Sequence, residues 1–501
     1  MSDARRLATG SLAQQAAQVT GLVAMFVILA VLARQLTRSE LGVYGLLNAL
    51  AGYLLIVQNA AAGSAVRSMA AARDDRAGSV AFSTAALLYV AAGAGAGVLL
   101  AGVGIALAGA LDLSTEVARQ ARLGAVAVGV VTFVGWPLTV YRDALRADGR
   151  FVLAASTEMV SLLAYAALVL GLALADAPLW AIVGAGAAIP LLAGIGCTLA
   201  ALIVGLPWRL SWRLADRAVG RELLGLAGYI SLTEAASAAV YALSRAILGI
   251  YKSAATVGLY EGPVRAHNLI RALNAAVTVT VLPTAARYQA EGDDRRQREL
   301  LVRGSRYTLA LIVPIAVVGM VLAAPILDVW LGPDYREAGS AMTILMSHWV
   351  LNGMSGVAAA MLVTVGRARD LARWALMVAG AAIALALILT PPYGLDGVAL
   401  ATAIPYVALF PYLLWITLRA VPVPLGELVR RAFVPAWTLG LILGATLLVL
   451  QLTLEPASAL LLLTIALTAI GGYWIAFYLA WLDADERLLV KSVLGRSRPR
   501  A

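Results

Sequence analysis

The sequence predicts an all-α polytopic membrane protein with fourteen transmembrane helices, built from a duplicated six-helix unit followed by two further helices. Three observations predict it. Hydrophobic residues make up 61% of the 501 and charged residues only 13%, where a soluble domain carries roughly 25% charge, and mean hydropathy is +0.86. The apolar residues gather into unbroken runs of Ala, Leu, Val and Gly, long enough to cross a bilayer as helices of ~20 residues and without the alternation of a barrel. Last, a short punctuation pattern returns about 216 residues further along.

The spans fall at about 11–34, 41–64, 79–111, 122–141, 151–175, 178–206, 223–251, 255–286, 307–331, 338–364, 371–391, 397–418, 432–453 and 458–481. Arg5 and Arg6 precede a first run too long for a signal-peptide core, so the first helix is expected to be retained. It carries Gln14, Gln15 and Gln18 and no acidic residue. The second carries Asn48, Gln58 and Asn59, amides suited to interhelical hydrogen bonds or to contact with a substrate. Glycines from Gly93 to Gly104 lie among Ala, Val and Leu inside the third span, a pattern of close helix packing. Cys197 is the single cysteine, which excludes an intramolecular disulfide and gives no metal spacing.

Charge sets the orientation. With loops assigned alternately and Arg34, Arg122 and Arg373 at span ends counted with the loops, 29 of the 38 lysines and arginines collect on the side that holds the N-terminus, and only Arg245, Arg265 and Arg271 fall well inside spans. The positive-inside rule then places both termini in the cytoplasm. The net charge of +10 is thereby an orientation signal, and nucleic acid is not an expected partner. Between the sixth and seventh spans, Arg209, Arg213, Arg217 and Arg221 recur every fourth residue beside Trp208 and Trp212, which predicts a short amphipathic helix in the cytoplasmic headgroup layer. The loop from Arg287 to Arg306 mixes both signs and reads as a solvated helix face.

The repeat rests on three ordered matches. Gly42-Val43-Tyr44 returns as Gly258-Leu259-Tyr260, Gly149-Arg150 as Gly366-Arg367, and Ala188-Ile189-Pro190 as Ala403-Ile404-Pro405. Spans one to six thus repeat as seven to twelve. Six crossings return the chain to its starting side, so the copies run parallel, related by an axis along the membrane normal. The expected organisation is an N-lobe at 1–206, an amphipathic linker at 207–221, a C-lobe at 222–418, and two appended helices with a tail at 419–501.

The stretch from Glu222 to Glu291 holds the candidate site. Within two spans it carries Glu234, Arg245, Glu261, Arg265, His267, Asn268 and Arg271, groups that lipid tolerates only where they face a bundle interior or a wet cavity. Three of these are arginines, so the cavity would attract anions. Glu261 and Arg265 stand at i,i+4 and could form a structural pair, whereas no acidic residue lies three or four positions from Arg271. Glu234 and Glu261 are candidates for coupling to H+ or Na+, or for counter-ions that hold an arginine. His267 and His348 read as packed polar residues.

Enzyme chemistry lacks its parts. The outer loops are short, and no Walker loop, His-x-x-x-His, Gly-x-Ser-x-Gly or cofactor fingerprint occurs. A transporter is expected, with an antiporter of drugs or small metabolites and an enzyme acting on lipid-linked sugar as the other readings.

The run Ala324-Pro325-Ile326-Leu327-Asp328-Val329-Trp330-Leu331-Gly332-Pro333-Asp334-Tyr335 resembles the polysaccharide-biosynthesis family, of the Wzx-type O-antigen flippases, in the multidrug/oligosaccharidyl-lipid/polysaccharide exporter superfamily. Val281-Leu282-Pro283, Gly42-Val43-Tyr44, Val365-Gly366-Arg367 and Tyr393-Gly394-Leu395-Asp396-Gly397-Val398-Ala399 extend the resemblance over about residues 11–418. The resemblance implies two six-helix lobes in a V that open alternately to each face. It implies a flippase that carries an isoprenoid-diphosphate-linked oligosaccharide from the inner to the outer leaflet of a bacterial cytoplasmic membrane, together with other polysaccharide-assembly proteins. The resemblance also implies a cationic central cavity that would hold the diphosphate; Arg245, Arg265 and Arg271, with Asn268, match it in chemistry and are the expected contacts, on the charge argument above and not from family positions. The multidrug branch commonly has an acidic residue in its first helix, where this chain has glutamines.

Overall fold

The computed structural model describes residues 20–454, 458–484 and 486–488, and within these the side chains of residues 56, 57, 59–61 and 226–242 lie outside the description. Every regular element among the described residues is helical. In chain order these are α1 (Thr20–Gln35), α2 (Arg38–Ala70), α3 (Asp75–Ala110), α4 (Thr115–Ala147) and α5 (Phe151–Leu174). Then come α6 (Leu179–Gly186 and Ile189–Val204, bent by 56°), α7 (Arg217–Tyr251), α8 (Ala254–Ala290) and α9 (Asp294–Val321). After a short helix Ala323–Leu331 follows α10 (Pro333–Asn352 and Ser355–Thr364, bent by 46°). Gly394, at φ +57, divides the long run Ala368–Ala420 into α11 (368–393) and α12 (395–420), and α13 (Leu425–Leu454) and α14 (Ala459–Trp481) complete the chain. Eight of the described helices are long and apolar enough to span a membrane, or ten if each bent pair is one span, with α11 and α12 taken as one. The order is consistent with fourteen spans.

By packing, the chain divides into one compact unit of Met1–Glu261 with Ile383–Val398 and a second of Gly262–Ala382 with Ala399–Ala501. In lipid, burying apolar side chains gains little, so helices associate through close fit and polar contacts. The first unit follows that logic. A Cβ on Gly97 of α3 would stand 2.6 Å from the Gly129 carbonyl of α4, and one on Gly129 would stand 2.5 Å from the Gly97 carbonyl. Gly93, Gly97 and Gly104 are therefore packing residues, as their spacing predicts, whereas a Cβ on Gly95 or Gly102 would meet nothing within 4 Å. The α2 amides tie helices together: Asn48 donates to the Val183 carbonyl at 3.3 Å and Gln58 to Thr139 Oγ1 at 2.6 Å. Asn59 lies outside the described side chains, and Gln14, Gln15 and Gln18 outside the described residues. Cys197 is buried and free.

The linker corrects an expectation. Instead of an amphipathic helix, residues 206–216 form an extended strap with one 3-10 turn at Trp212–Leu214, and α7 begins at Arg217. The cause lies on α3. Ser79 Oγ accepts from Arg209 N at 3.0 Å, Ser83 Oγ from Ser211 N at 3.1 Å, and Thr84 Oγ1 from Asp216 N at 2.9 Å. Trp208 fills the notch left by Gly78. These side-chain acceptors take backbone N–H groups that a helix would have used, so Arg209 and Arg213 lie on the strap and only Arg217 and Arg221 share a helix, at the start of α7.

The repeat is visible atom by atom. Gly149 and Gly366 both sit at φ +77, and each closes its helix with the same pair of bonds: Gly149 N to Arg146 O and Arg150 N to Leu145 O, against Gly366 N to Val363 O and Arg367 N to Leu362 O. The left-handed conformation is why glycine stands at both places. The first turns of α2 and α8 cross with matched contacts inside the first unit. A Cβ on Gly42 would stand 1.8 Å from the Ala254 carbonyl, and one on Gly258 would stand 2.2 Å from the Arg38 carbonyl. Thr37 caps α2 by accepting from Glu40 N, as Ser253 accepts from Thr256 N beside α8. The third match does not extend to geometry: α6 bends just before Ile189, whereas α12 is interrupted at Leu409, six residues beyond Ala403.

In the second unit α9 is the central helix, and its apolar part is buried against α10, α12 and the start of α13 through Leu309, Val313, Val357, Met361, Leu413 and Phe433. The two appended helices pack on α9, with Gly440 against Val313 and a cluster of Leu443, Leu447, Ile465 and Phe477 around Val318 and Leu322. Ion pairs reinforce this. Arg431 reaches Glu299 at 2.7 Å, and Glu486, just past α14, accepts from Arg306, Tyr307 and the backbone of Asp483.

A buried ion pair and an arginine arc

The two-residue turn at Lys252–Ser253 folds α8 back along α7, so side chains 16 positions apart meet. Arg245 Nε donates to Glu261 Oε1 at 2.8 Å, and Arg245 Nη1 donates to the Tyr53 oxygen of α2 at 3.0 Å. The pair is nearly sealed, with 5% and 1% of the two side chains exposed. Room for the carboxylate comes from Gly45, where a Cβ would stand 2.5 Å from Glu261 Cδ and Oε1. The fork of Arg245 thus has two acceptors, and its positive charge is matched inside the protein. Sequence reasoning offered Glu261 the neighbour Arg265 on its own helix, and periodicity within one helix could not reveal the partner on α7. Glu234 lies outside the described side chains.

Further along α8, in the second unit, Arg265, Asn268 and Arg271 are all half-buried, and the helix runs on through Pro263 and Pro283. Arg271 Nε donates to Asn268 Oδ1 at 3.1 Å, which leaves the amide nitrogen of Asn268 as a donor. Spaced three and six residues apart, the two guanidinium groups and the amide follow one side of the helix over about 9 Å of axial rise. A row of N–H donors of this kind suits a group with several anionic oxygens, because a planar guanidinium can contact two oxygens at once. Three residues on, Asn274 bridges to α10, donating to Ser355 Oγ at 2.7 Å and accepting from Gly356 N at 3.1 Å.

The structure adds a constellation that composition only hinted at. The chain has two histidines, and α8 and α10 bring them together: His267 and His348 are each 1% exposed with ring centroids 5.3 Å apart. Trp349 Nε1 donates to His267 Nδ1 at 3.1 Å, and Tyr406 of α12 stacks on His348 at 4.6 Å and 10°. Their rarity was the available signal, since 81 residues separate them in sequence. Among the described residues no group of three or more His, Cys, Asp or Glu could hold a metal ion.

Helices long and apolar enough to cross a bilayer many times, a duplicated helical unit and ionisable groups packed between helices define a multi-pass membrane protein. The family model for polysaccharide biosynthesis proteins matches residues 31–340, and the chain belongs to that family. No curated protein sequence matches it. Among solved structures, a lipid II flippase, MurJ in an inward closed conformation, is similar at a TM-score of 0.73 and 16% identity, covering 94% of this chain and 98% of that one. An inward-facing multidrug resistance transporter of the MATE family has a TM-score of 0.67 at 13% identity, covering 80% and 95%. A superfamily transporter from Pyrococcus furiosus has 0.54 at 15% identity, covering 83% and 94%. The fold is that of the multidrug/oligosaccharidyl-lipid/polysaccharide exporter superfamily.

Proposed function

We propose that this protein is a flippase which carries an isoprenoid-diphosphate-linked oligosaccharide from the inner to the outer leaflet by alternating access, and that it is not an enzyme. The observation that carries the reading is the arc of Arg265, Asn268 and Arg271 on a membrane helix, in a chain of the polysaccharide biosynthesis family. In this reading the three donors meet the diphosphate. Arg245, held by Glu261, is a third guanidinium that release from its carboxylate would free. Coupling to H+ or Na+ would fall on Glu234 or Glu261. An inside-negative potential alone favours outward movement of a dianion, at ~2.3 kcal/mol per charge per 100 mV. The lobes would be 1–206 and 222–418, joined by 207–221, in a bacterial cytoplasmic membrane with both termini cytoplasmic and with other polysaccharide-assembly proteins as partners. Likeness to MATE transporters supports a second reading, an antiporter of drugs or small metabolites.

The test is transport in proteoliposomes of a fluorescent, short-chain isoprenoid diphosphate disaccharide. Flipping by the wild-type protein that Arg271→Ala abolishes supports the flippase. Uptake of cationic drugs with no movement of the lipid would favour the antiporter.

A further inference from the structure

We propose that His267 is a proton-binding group whose Nδ1 stands between a hydrogen-bond donor, Trp349, and a hydrogen-bond acceptor, the Leu345 carbonyl, so that gaining a proton exchanges one partner for the other. The distances are 3.1 Å to Trp349 Nε1 and 3.3 Å to Leu345 O. The two contacts exclude each other chemically. An indole N–H can only donate, so it needs the lone pair of Nδ1, which the neutral ring offers when its proton is on Nε2. A carbonyl can only accept, so it needs Nδ1–H. When a hydronium ion gives its proton to Nδ1 and leaves as water, an N–H bond forms, the Trp349 bond is lost, and the new N–H donates to Leu345.

Several features favour this site. Leu345 and Trp349 are four residues apart on α10, so one turn of that helix presents both partners to one nitrogen. The helical segment Gly339–Ser347 stops just beyond Leu345, and carbonyls in the last turn of a helix lack partners within it and attract a cation. Two imidazolium rings 5.3 Å apart would repel, so the pair holds one proton. His267 has the acceptor for it, whereas neither ring nitrogen of His348 has a hydrogen-bond partner. Other ionisable groups are sparse: Arg265 and Arg271 on α8 and Tyr406 on α12. The apolar lengths of α9 (308–321), α11 (374–390) and α13 (434–454) contain none. Proton binding would change which group of α10 holds α8 within the second unit, whatever the cargo, so the inference does not depend on the proposed substrate.

With two histidines in the chain, nitrogen-15 histidine spectra of the full-length protein in nanodiscs contain two residues' signals. The expected result is that, between pH 8 and pH 5, His267 passes from a single proton on Nε2 to two protons, and the Trp349 indole signal, identified by its loss in Trp349→Phe, moves in step. His267→Gln should remove that movement and His348→Gln should leave it. Retention of the movement in His267→Gln would overturn the proposal, as would two singly protonated histidines at pH 5 in protein with unchanged circular dichroism. Should His267→Gln fail to fold, Trp349→Phe decides. Its His267 Nδ1 signal at pH 8 should move to that of a nitrogen without a hydrogen bond, and an unmoved signal would sink the idea.

Discussion

Glu261 answers to a charge on another helix and to a missing methyl on a third. Removing its charge strands Arg245 in a nearly sealed position, and breaking a buried pair this way costs roughly 3–5 kcal/mol. Glu261→Gln should therefore lower the thermal midpoint strongly, and adding Arg245→Gln should restore much of it; a double variant as unstable as the single would show that the pair is not the source. Gly45→Leu should mimic the single variant sterically, since its side chain needs the space of the Glu261 carboxylate. On the α8 arc the expected order of transport is wild type, then Arg271→Lys, then Arg271→Ala, because an ammonium keeps the charge and loses the fork. Equal transport by all three would remove Arg271 from the binding site. The residues themselves were legible in the sequence, because charge inside an apolar run is conspicuous. Their partners were not, since Arg245 meets Glu261 only through the turn at Lys252 and Ser253.

Helix ends and connections are where composition and geometry diverge most. Gly149→Ala and Gly366→Ala place a Cβ in a left-handed turn, and each should cost about 1–2 kcal/mol, seen as equal drops in thermal midpoint. The strap departs from the helix its arginine spacing predicts because that spacing carries no information about Ser79, Ser83 and Thr84 on a distant helix, whose hydroxyls hold the strap extended. Removing those hydroxyls together should raise protease cleavage near Trp212. Glu486 ties the end of α14 to α9. Burial alone would raise its pKa, but hydrogen bonds from Tyr307 and the backbone of Asp483, with the Arg306 and Arg303 charges, hold it below the ordinary carboxylate value. A depressed carboxylate stabilises the fold above its unfolded-state pKa and loses that contribution as pH falls through its folded-state pKa. Proteolysis just after α14 should accordingly increase in acid below pH ~4, and Glu486→Gln should be cleaved as readily at neutral pH.

For the whole molecule, the helical class could be read from apolar runs, because a bilayer imposes length and forbids exposed backbone, and the duplicated order from two of the three spaced motifs, those at Gly42/Gly258 and Gly149/Gly366. Sidedness is tested by labelling. In a Cys197→Ala background, cysteines replacing Arg146 and Arg296 should resist an impermeant thiol reagent in intact cells, and cysteines replacing Glu116 or Asp334 should react; labelling at 296 from outside would overturn cytoplasmic termini. The crossing of α2 and α8 has an evolutionary consequence. Gly42 meets residue 254 as Gly258 meets residue 38, so each strand of the contact is the other's counterpart. That reciprocity is the mark of an isologous interface between identical subunits. A single-copy ancestor pairing with itself would already have possessed this crossing, and gene fusion would then have freed the two glycine turns to diverge everywhere except where they touch.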